Sequence, residues 1–400
     1  MTVKLPIYLD HHATTPVDPR VLSAMLPYFC EKFGNASSRT HQFGWEAEAA
    51  VEKARELIAE LIGATSTREI VFTSGATEAN NLALKGVAEQ LGETGHLVTT
   101  AVEHRSVLDV TERLSSRGWE VTVVGVDRRG RVDADAIDRA LTDRTRLVSV
   151  MLANNEVGTI QPIGQIGKRT RARGVLLHVD AVQGVGRTGF DVNDFNVDLC
   201  SLSAHKIGGP KGVGALYVRR SNPRVRLLSQ IDGGGHERGL RSGTLDVPGI
   251  VGFGCAADLL GSEGAGENQR LAALRDRLEQ RLVSELDGVS INGDVEHRLP
   301  NNLNLSFDDV SANALMLRLP EIALSSGSAC SSATPEPSHV LKAMGIDADR
   351  LLGSLRFGLG RDNDNEQVEY VASRIIEEVR NLRSSGRATD AGSRRSSGLE

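Results

Sequence analysis

Between about residues 65 and 220, short apolar runs alternate with amphipathic stretches in an order that predicts strand, helix, strand, helix. Ile70 to Thr73 reads as a strand and Thr77 to Glu89 as the helix after it. His96 to Val102 and Val107 to Ser116 repeat the pair. Val121 to Val126, Leu147 to Leu152, Val175 to Asp180 and Val213 to Val218 are further strands, and Ile163 to Arg173 is a helix between two of them. Strands that are apolar along their length need cover on both faces. The pattern therefore predicts an α/β fold with a mainly parallel sheet between helices.

The pattern changes after residue 260. Gly261 to Glu267, rich in Gly, Ser and Glu, reads as a linker. A helix with Leu271, Leu274, Leu278 and Leu282 on one face follows, then short strands at Val289 to Asn292 and Leu303 to Phe307. A helix over Ala312 to Leu319, a polar loop around Cys330, a strand at Leu355 to Phe357 and a last helix carrying Val368, Val371, Ile375, Val379 and Leu382 complete a smaller α+β unit. The expected division is a large domain over 16–260 and a small one built from 1–15 and 261–383. The tail 384–400 has almost no apolar content and is expected to be disordered.

Composition narrows the class. The chain has 400 residues, 40% hydrophobic, and a formal net charge of -6, which suits a soluble protein with two cores. No apolar run approaches the roughly 20 residues that span a bilayer, and residues 1–15 lack the basic-then-apolar layout of a signal peptide. A cytoplasmic location without membrane attachment is expected. Mild acidity and the lack of a basic stripe with interleaved aromatics argue against nucleic acid as a partner. The four cysteines, Cys30, Cys200, Cys255 and Cys330, show no metal-ligand spacing. Cys200 and Cys255 read as core residues and Cys30 as structural; no metal is expected.

The densest chemistry lies at residues 201–212. Lys206 stands among small polar residues and His205, just before a glycine-rich turn, where its amine can form a Schiff base with an aldehyde cofactor. Ser203 and His205 can hold a phosphate. Asp180 ends the apolar run Val175–Val179, so it sits at the carboxyl end of a strand, where open α/β sheets bind ligands. A carboxylate there can pair with a protonated pyridine nitrogen, and Gln183 can donate to a phenolate oxygen. An aspartate on the ring nitrogen and a lysine on the aldehyde are the protein's share of a pyridoxal phosphate site. Ser74-Gly75-Ala76-Thr77-Glu78, between a strand and a helix, fits the phosphate cup, with backbone N–H groups at Ala76 and Thr77 and the Thr77 hydroxyl. His104 follows another strand and can stack on a ring and relay protons. Asn155 follows the next strand and faces the same edge.

These segments resemble the NifS/IscS-type cysteine desulfurases, members of the fold-type-I pyridoxal-phosphate enzymes. The markers are Ala13-Thr-Thr-Pro16, Phe72 to Glu78, Glu103-His104, Asn154 to Gly158, His178 to Gln183, Ser203 to Lys206, Gly233 to Thr244 and Ser325 to Ser332. The likeness runs from Tyr8 to about Leu382. It implies a large domain with a mainly parallel seven-stranded sheet and a smaller C-terminal domain. It also implies removal of sulfur from L-cysteine to give L-alanine and a persulfide on Cys330, passed on to a sulfur acceptor such as an iron–sulfur scaffold. By the same resemblance Lys206 carries the cofactor and shuttles protons, while Asp180 holds the ring nitrogen and Gln183 the phenolate. His104 stacks on the ring, and Thr77, Ser203 and His205 bind phosphate. Thr244 reaches the site of the partner in a homodimer. Arg356 clamps the substrate carboxylate, with Asn155 and Asn35 helping. The small residues around Cys330 suit a thiol on a flexible loop. His11 and His12 stand where many relatives have Tyr and Ser, and no role attaches to either. The tail lacks the aromatic and histidine tip that touches the scaffold in close relatives, which leaves the acceptor open. Another pyridoxal-phosphate enzyme, such as an aminotransferase or selenocysteine lyase, and a non-catalytic scaffold are the competing possibilities.

Overall fold

The computed structural model describes residues 3–326 and 338–396. Its strands are β1 (Ile7–Tyr8), β2 (Ile70–Thr73), β3 (His96–Thr100), β4 (Glu120–Val124), β5 (Thr145–Met151), β6 (Leu176–Asp180), β7 (Leu199–Ser203), β8 (Gly214–Val218), β9 (Val289–Ile291), β10 (Asn302–Phe307), β11 (Ile322–Ala323) and β12 (Ser354–Gly358). Seven of them form one sheet in the order β2-β8-β7-β6-β5-β3-β4. Neighbours from β4 to β7 run parallel, and β8 runs antiparallel to both β7 and β2. Residues such as Val98, Val148, Val150, Leu177, Val179 and Tyr217 are buried against helices, which is why these strands read as unbroken apolar runs.

A second cluster joins Ile7 and Leu9 of the N-terminal segment to Leu271, Leu274, Leu278 and Leu282, and to Leu305, Phe357, Val371 and Ile375. Each fully buried leucine there contributes roughly 1.5–3 kcal/mol. The three-stranded sheet β12-β10-β9 forms its floor, and β1 pairs with β11.

Segment 261–267 is not a linker. A single helix runs Val247–Glu285, started by Asp246, whose carboxylate accepts from the Gly249 N–H. Glycines cost up to about 1 kcal/mol each in a helix interior, and here tertiary contacts outweigh them. Glu263 pairs with Arg20 at 2.6 Å, and Glu267 with Arg187 at 2.8 Å and Arg361 at 2.7 Å. The last helix, Asn365–Ser396, continues through most of the polar tail expected to be disordered. That stretch holds no proline to stop it. Cys200 is buried as expected, but Cys255 is half-buried and Cys30 exposed, so neither is a core thiol.

Candidate active site

The carboxyl ends of β5, β6 and β7 and the turn after β3 open into a cavity of about 780 Å³. Ala76, Thr77, His104, Asn155, Asp180, Gln183, Ser203, His205, Lys206 and Arg356 all line it, although they come from segments spread over 280 residues of chain. A second hollow of about 560 Å³ lies at the amino ends of β5 and β6. It is lined by Arg146, Arg173, Arg224 and Arg226 but by no lysine that could form a Schiff base.

Asp180 forms the floor. Its Oδ2 accepts from Asn80 Nδ2 at 2.9 Å and its Oδ1 from the Val182 N–H at 3.2 Å. The same Asn80 amide donates to Ser106 Oγ at 2.8 Å, and Ser106 Oγ lies 2.8 Å from His104 Nδ1. The Ser106 N–H also donates to that nitrogen, so Nδ1 is the acceptor and the proton of a neutral ring sits on Nε2. One chain of hydrogen bonds thus links the carboxylate to the imidazole. His178, behind Asp180, lies between Ser149 Oγ and Ser201 Oγ, and burial pushes it down to about 4.

On one wall, Lys206 Nζ donates to the carbonyls of His12 and, at 2.8 Å, Ala13. His205 Nδ1 lies 3.1 Å from Thr14 Oγ1. Burial, then the Lys206 and Lys211 charges, push His205 down to about 4. Nearby, Gly75 (φ 150°) caps the helix Ala76–Leu91, whose first residues line the cavity. Gly214 of β8 comes so close to this turn that a Cβ there would lie 2.7 Å from Gly75 Cα.

Arg356 projects from β12, with Nη1 donating to the Asn155 carbonyl at 2.9 Å and Nη2 to Asp10 at 2.6 Å. Its buried Nε has no partner among the described residues. Glu156 is fully buried and pushed up to about 7 by that burial. It accepts from Ser338 Oγ at 2.5 Å. Glu103, buried beneath the His104 turn, is pushed up to about 8 by the same cause. Cys330 lies outside the described residues. Those flanking its segment meet the site: the Ser325 carbonyl accepts from the Arg356 N–H at 2.7 Å, and Ser338 lines the cavity. Asn35 and Thr244 are exposed and do not line the cavity; Asn35 Oδ1 accepts from the Ser37 N–H.

The family profile described as aminotransferase class-V matches residues 7–371. The chain belongs to that family. Among curated relatives, "Cysteine desulfurase IscS" of Anaeromyxobacter sp. (strain Fw109-5) is 58% identical over 95% of this chain and 94% of its own length. The protein of the same name from Rickettsia massiliae (strain Mtu5) is 49% identical over 95% and 92%. Among solved structures, a "NIFS-LIKE PROTEIN" is 40% identical, covers 94% of this chain and 99% of its own, and has a TM-score of 0.87. "SspA in complex with cysteine" is 37% identical over 88% and 98%, with a TM-score of 0.79.

Class-V aminotransferases use pyridoxal phosphate, and the donor set fits it. A carboxylate lies at the floor, an amine at the wall, and a helix N-terminus with Ser203 and His205 offers a phosphate cradle. The sequence assigned no role to His12, Asn80, Ser106, Glu103 or Glu156, although Glu103 and Glu156 lie within the family markers. Asn80 left one clue, a polar residue on the otherwise apolar stripe of Ala79, Leu82 and Ala83.

Proposed function

We propose that this protein is a pyridoxal-phosphate-dependent cysteine desulfurase that converts L-cysteine to L-alanine and leaves a persulfide on Cys330. The observation that carries this reading is the convergence of Lys206, Asp180 and Arg356 on one cavity. Support comes from two named relatives at 58% and 49% identity over nearly the whole chain.

When bound, the cofactor supplies an electron sink next to the substrate's α-carbon. Arg356 binds the substrate carboxylate, its guanidinium fork matching two oxygens better than a lysine does. Asn155, whose carbonyl already steadies Arg356, helps hold the substrate, with Asn35 as a further helper. With the cofactor in place, Asp180 would hold the ring-nitrogen proton, Gln183 would donate to the phenolate oxygen, and His104 would stack on the ring. Lys206 takes the α-proton. The Cys330 thiolate attacks the substrate sulfur, forming an S–S bond as the Cβ–S bond breaks. The electron pair stays with the β-carbon, which gains a proton and becomes the methyl group of alanine.

In this reading, 16–260 binds the cofactor, 1–15 with 261–383 brings the carboxylate clamp, and their border lies inside the helix Val247–Glu285. The protein acts in the cytoplasm as a homodimer, with Thr244 reaching the partner's phosphate and sulfur passing to an acceptor such as an iron–sulfur scaffold. Among the described residues, no helix is long and apolar enough to cross a membrane. The exposure of Thr244, and of Leu26, Phe29, Phe33, Phe43 and Trp45, is consistent with a covered face in such a dimer. Replacing Cys330 with alanine tests the assignment. Alanine formation from cysteine should stop while the yellow colour of the lysine-bound cofactor stays. Turnover that survives the change refutes Cys330 as nucleophile.

A further inference from the structure

His12 is 2% exposed and sits where three parts of the site meet. Its carbonyl accepts from Lys206 Nζ and from Gln183 Nε2, the latter at 3.0 Å. Its ring Nδ1 lies 3.0 Å from Gln183 Oε1, and its Nε2 lies 3.2 Å from the Asn301 carbonyl at the edge of the second core. Space for the ring is made by Gly358, where a Cβ would come within 2.8 Å of His12 Cδ2.

Hydrogen-bonding rules and contact lengths together place the proton of the neutral ring. A carbonyl only accepts, so the Gln183 NH2 must face the His12 carbonyl, and Gln183 Oε1 must then face the ring. The Asn301 carbonyl at Nε2 also only accepts, so the two contacts compete for the one hydrogen of the neutral ring; the shorter contact, 3.0 Å against 3.2 Å, takes it, and Nδ1 donates to Oε1. A second ring proton, on Nε2, is opposed by burial and by the positive charges of Arg356 and Lys206, which together hold the imidazole down to about 3. The paired contact leaves Gln183 with one amide proton given to the His12 carbonyl. The other has no acceptor among the described residues, and Gln183 lines the cavity.

We propose that His12 is a positioning residue: its Nδ1–H clamps Gln183 Oε1 and so turns the remaining Gln183 N–H toward the phenolate oxygen of the cofactor. This rests on the reading of Gln183 given above. Without the clamp the amide is held by the His12 carbonyl alone, and the orientation that offers the phenolate an acceptor becomes easier to reach. With it, only the donor is presented. A donor favours the form in which the phenolate carries the most unshared charge, which is the form left after the imine nitrogen loses its proton. Removing the clamp should therefore raise the pH at which the visible band of the lysine-bound cofactor titrates.

The experiment is a spectrophotometric pH titration of the holoenzyme without substrate. In His12→Phe, which keeps the bulk and loses the donor, the midpoint should rise by roughly 0.5–1 pH unit, the equivalent of one ordinary hydrogen bond. His12→Asn places an amide N–H close to the position of Nδ1 and should restore the wild-type midpoint. His12→Gln, whose amide reaches the Nε2 position instead, should titrate like the Phe variant. In a Gln183→Ala background, His12→Phe should cause no further change. A Phe variant that titrates like wild type while Gln183→Ala is shifted overturns the proposal, as do Asn and Gln variants that behave alike. An unshifted Gln183→Ala overturns the reading of Gln183 itself, and a wild-type holoenzyme without a visible band overturns the cofactor reading beneath both.

Discussion

Replacing Asn80 with leucine removes the side chain that ties Asp180 to Ser106 and, through it, to His104. Leucine keeps the branch and heavy-atom count of asparagine, but its methyl groups are larger, so at this fully buried position hydrogen bonds are lost with some added crowding. Asp180 keeps only the 3.2 Å bond from the Val182 N–H among its donors from the described residues. A hydrogen bond to a charged group is worth about 1.5–3 kcal/mol. If that bond fixes the carboxylate against the cofactor nitrogen, kcat for alanine formation should fall roughly 10–100-fold. Asn80→Asp should fall further, because a second carboxylate then faces Asp180 across about 3 Å. The assay is alanine release from cysteine at saturating cofactor, with the visible band recorded to separate lost chemistry from lost cofactor. A leucine variant that holds the cofactor and keeps kcat within about twofold of wild type refutes the role given to Asn80.

Much of this site was legible because each of its segments combines a strand end with an unusual polar residue. Asp180 after Val175–Val179 and Lys206 before its glycine turn are examples, and the structure places both on the predicted edge. What the sequence hid is chemistry that depends on distant partners. Glu237 lies within the Gly233 to Thr244 marker, and nothing local shows its partners. It is bound by the Arg55 guanidinium at 2.7 and 2.9 Å and by the Phe72 N–H at 2.8 Å, anchoring that loop to β2. His12 looked like a substitution without consequence because its partners, Gln183 and Asn301, lie 171 and 289 residues away. The helix through Gly261 to Glu267 was missed for a related reason. Local propensity speaks against it, and the arginines that hold Glu263 and Glu267 are Arg20, Arg187 and Arg361.

Arg356→Lys should raise the KM for cysteine roughly 10–100-fold with a smaller effect on kcat, since a point charge replaces the two-pronged carboxylate contact. Glu237→Gln removes the buried counter-charge of Arg55 and leaves it the half-exposed Glu52 at 2.9 Å, and should lower the free energy of unfolding in urea by up to about 3 kcal/mol. Gly358→Ala drives a methyl group to 2.8 Å from His12 Cδ2 and 3.0 Å from the His11 and His12 nitrogens, and should cost about 1–3 kcal/mol in the same assay. Glu156 supplies a pH test. Burial raises it from 4.5 to about 7, so between those values the folded chain keeps a proton that the unfolded chain has released. Its contribution to stability is therefore complete below pH 4.5 and is lost as the pH rises through 7, by about 3 kcal/mol at most. Glu103, raised to about 8, adds a decline of the same sign. His12, His178 and His205 are held below the usual histidine value and act in the opposite sense, penalising the folded state as the pH falls below about 6.5. These groups are common to both proteins, so they cancel in the difference between wild type and Glu156→Gln. Urea midpoints taken across about pH 5 to 8 should fall less steeply in the glutamine variant, and parallel curves would show that the Glu156 carboxyl does not hold its proton in the folded protein.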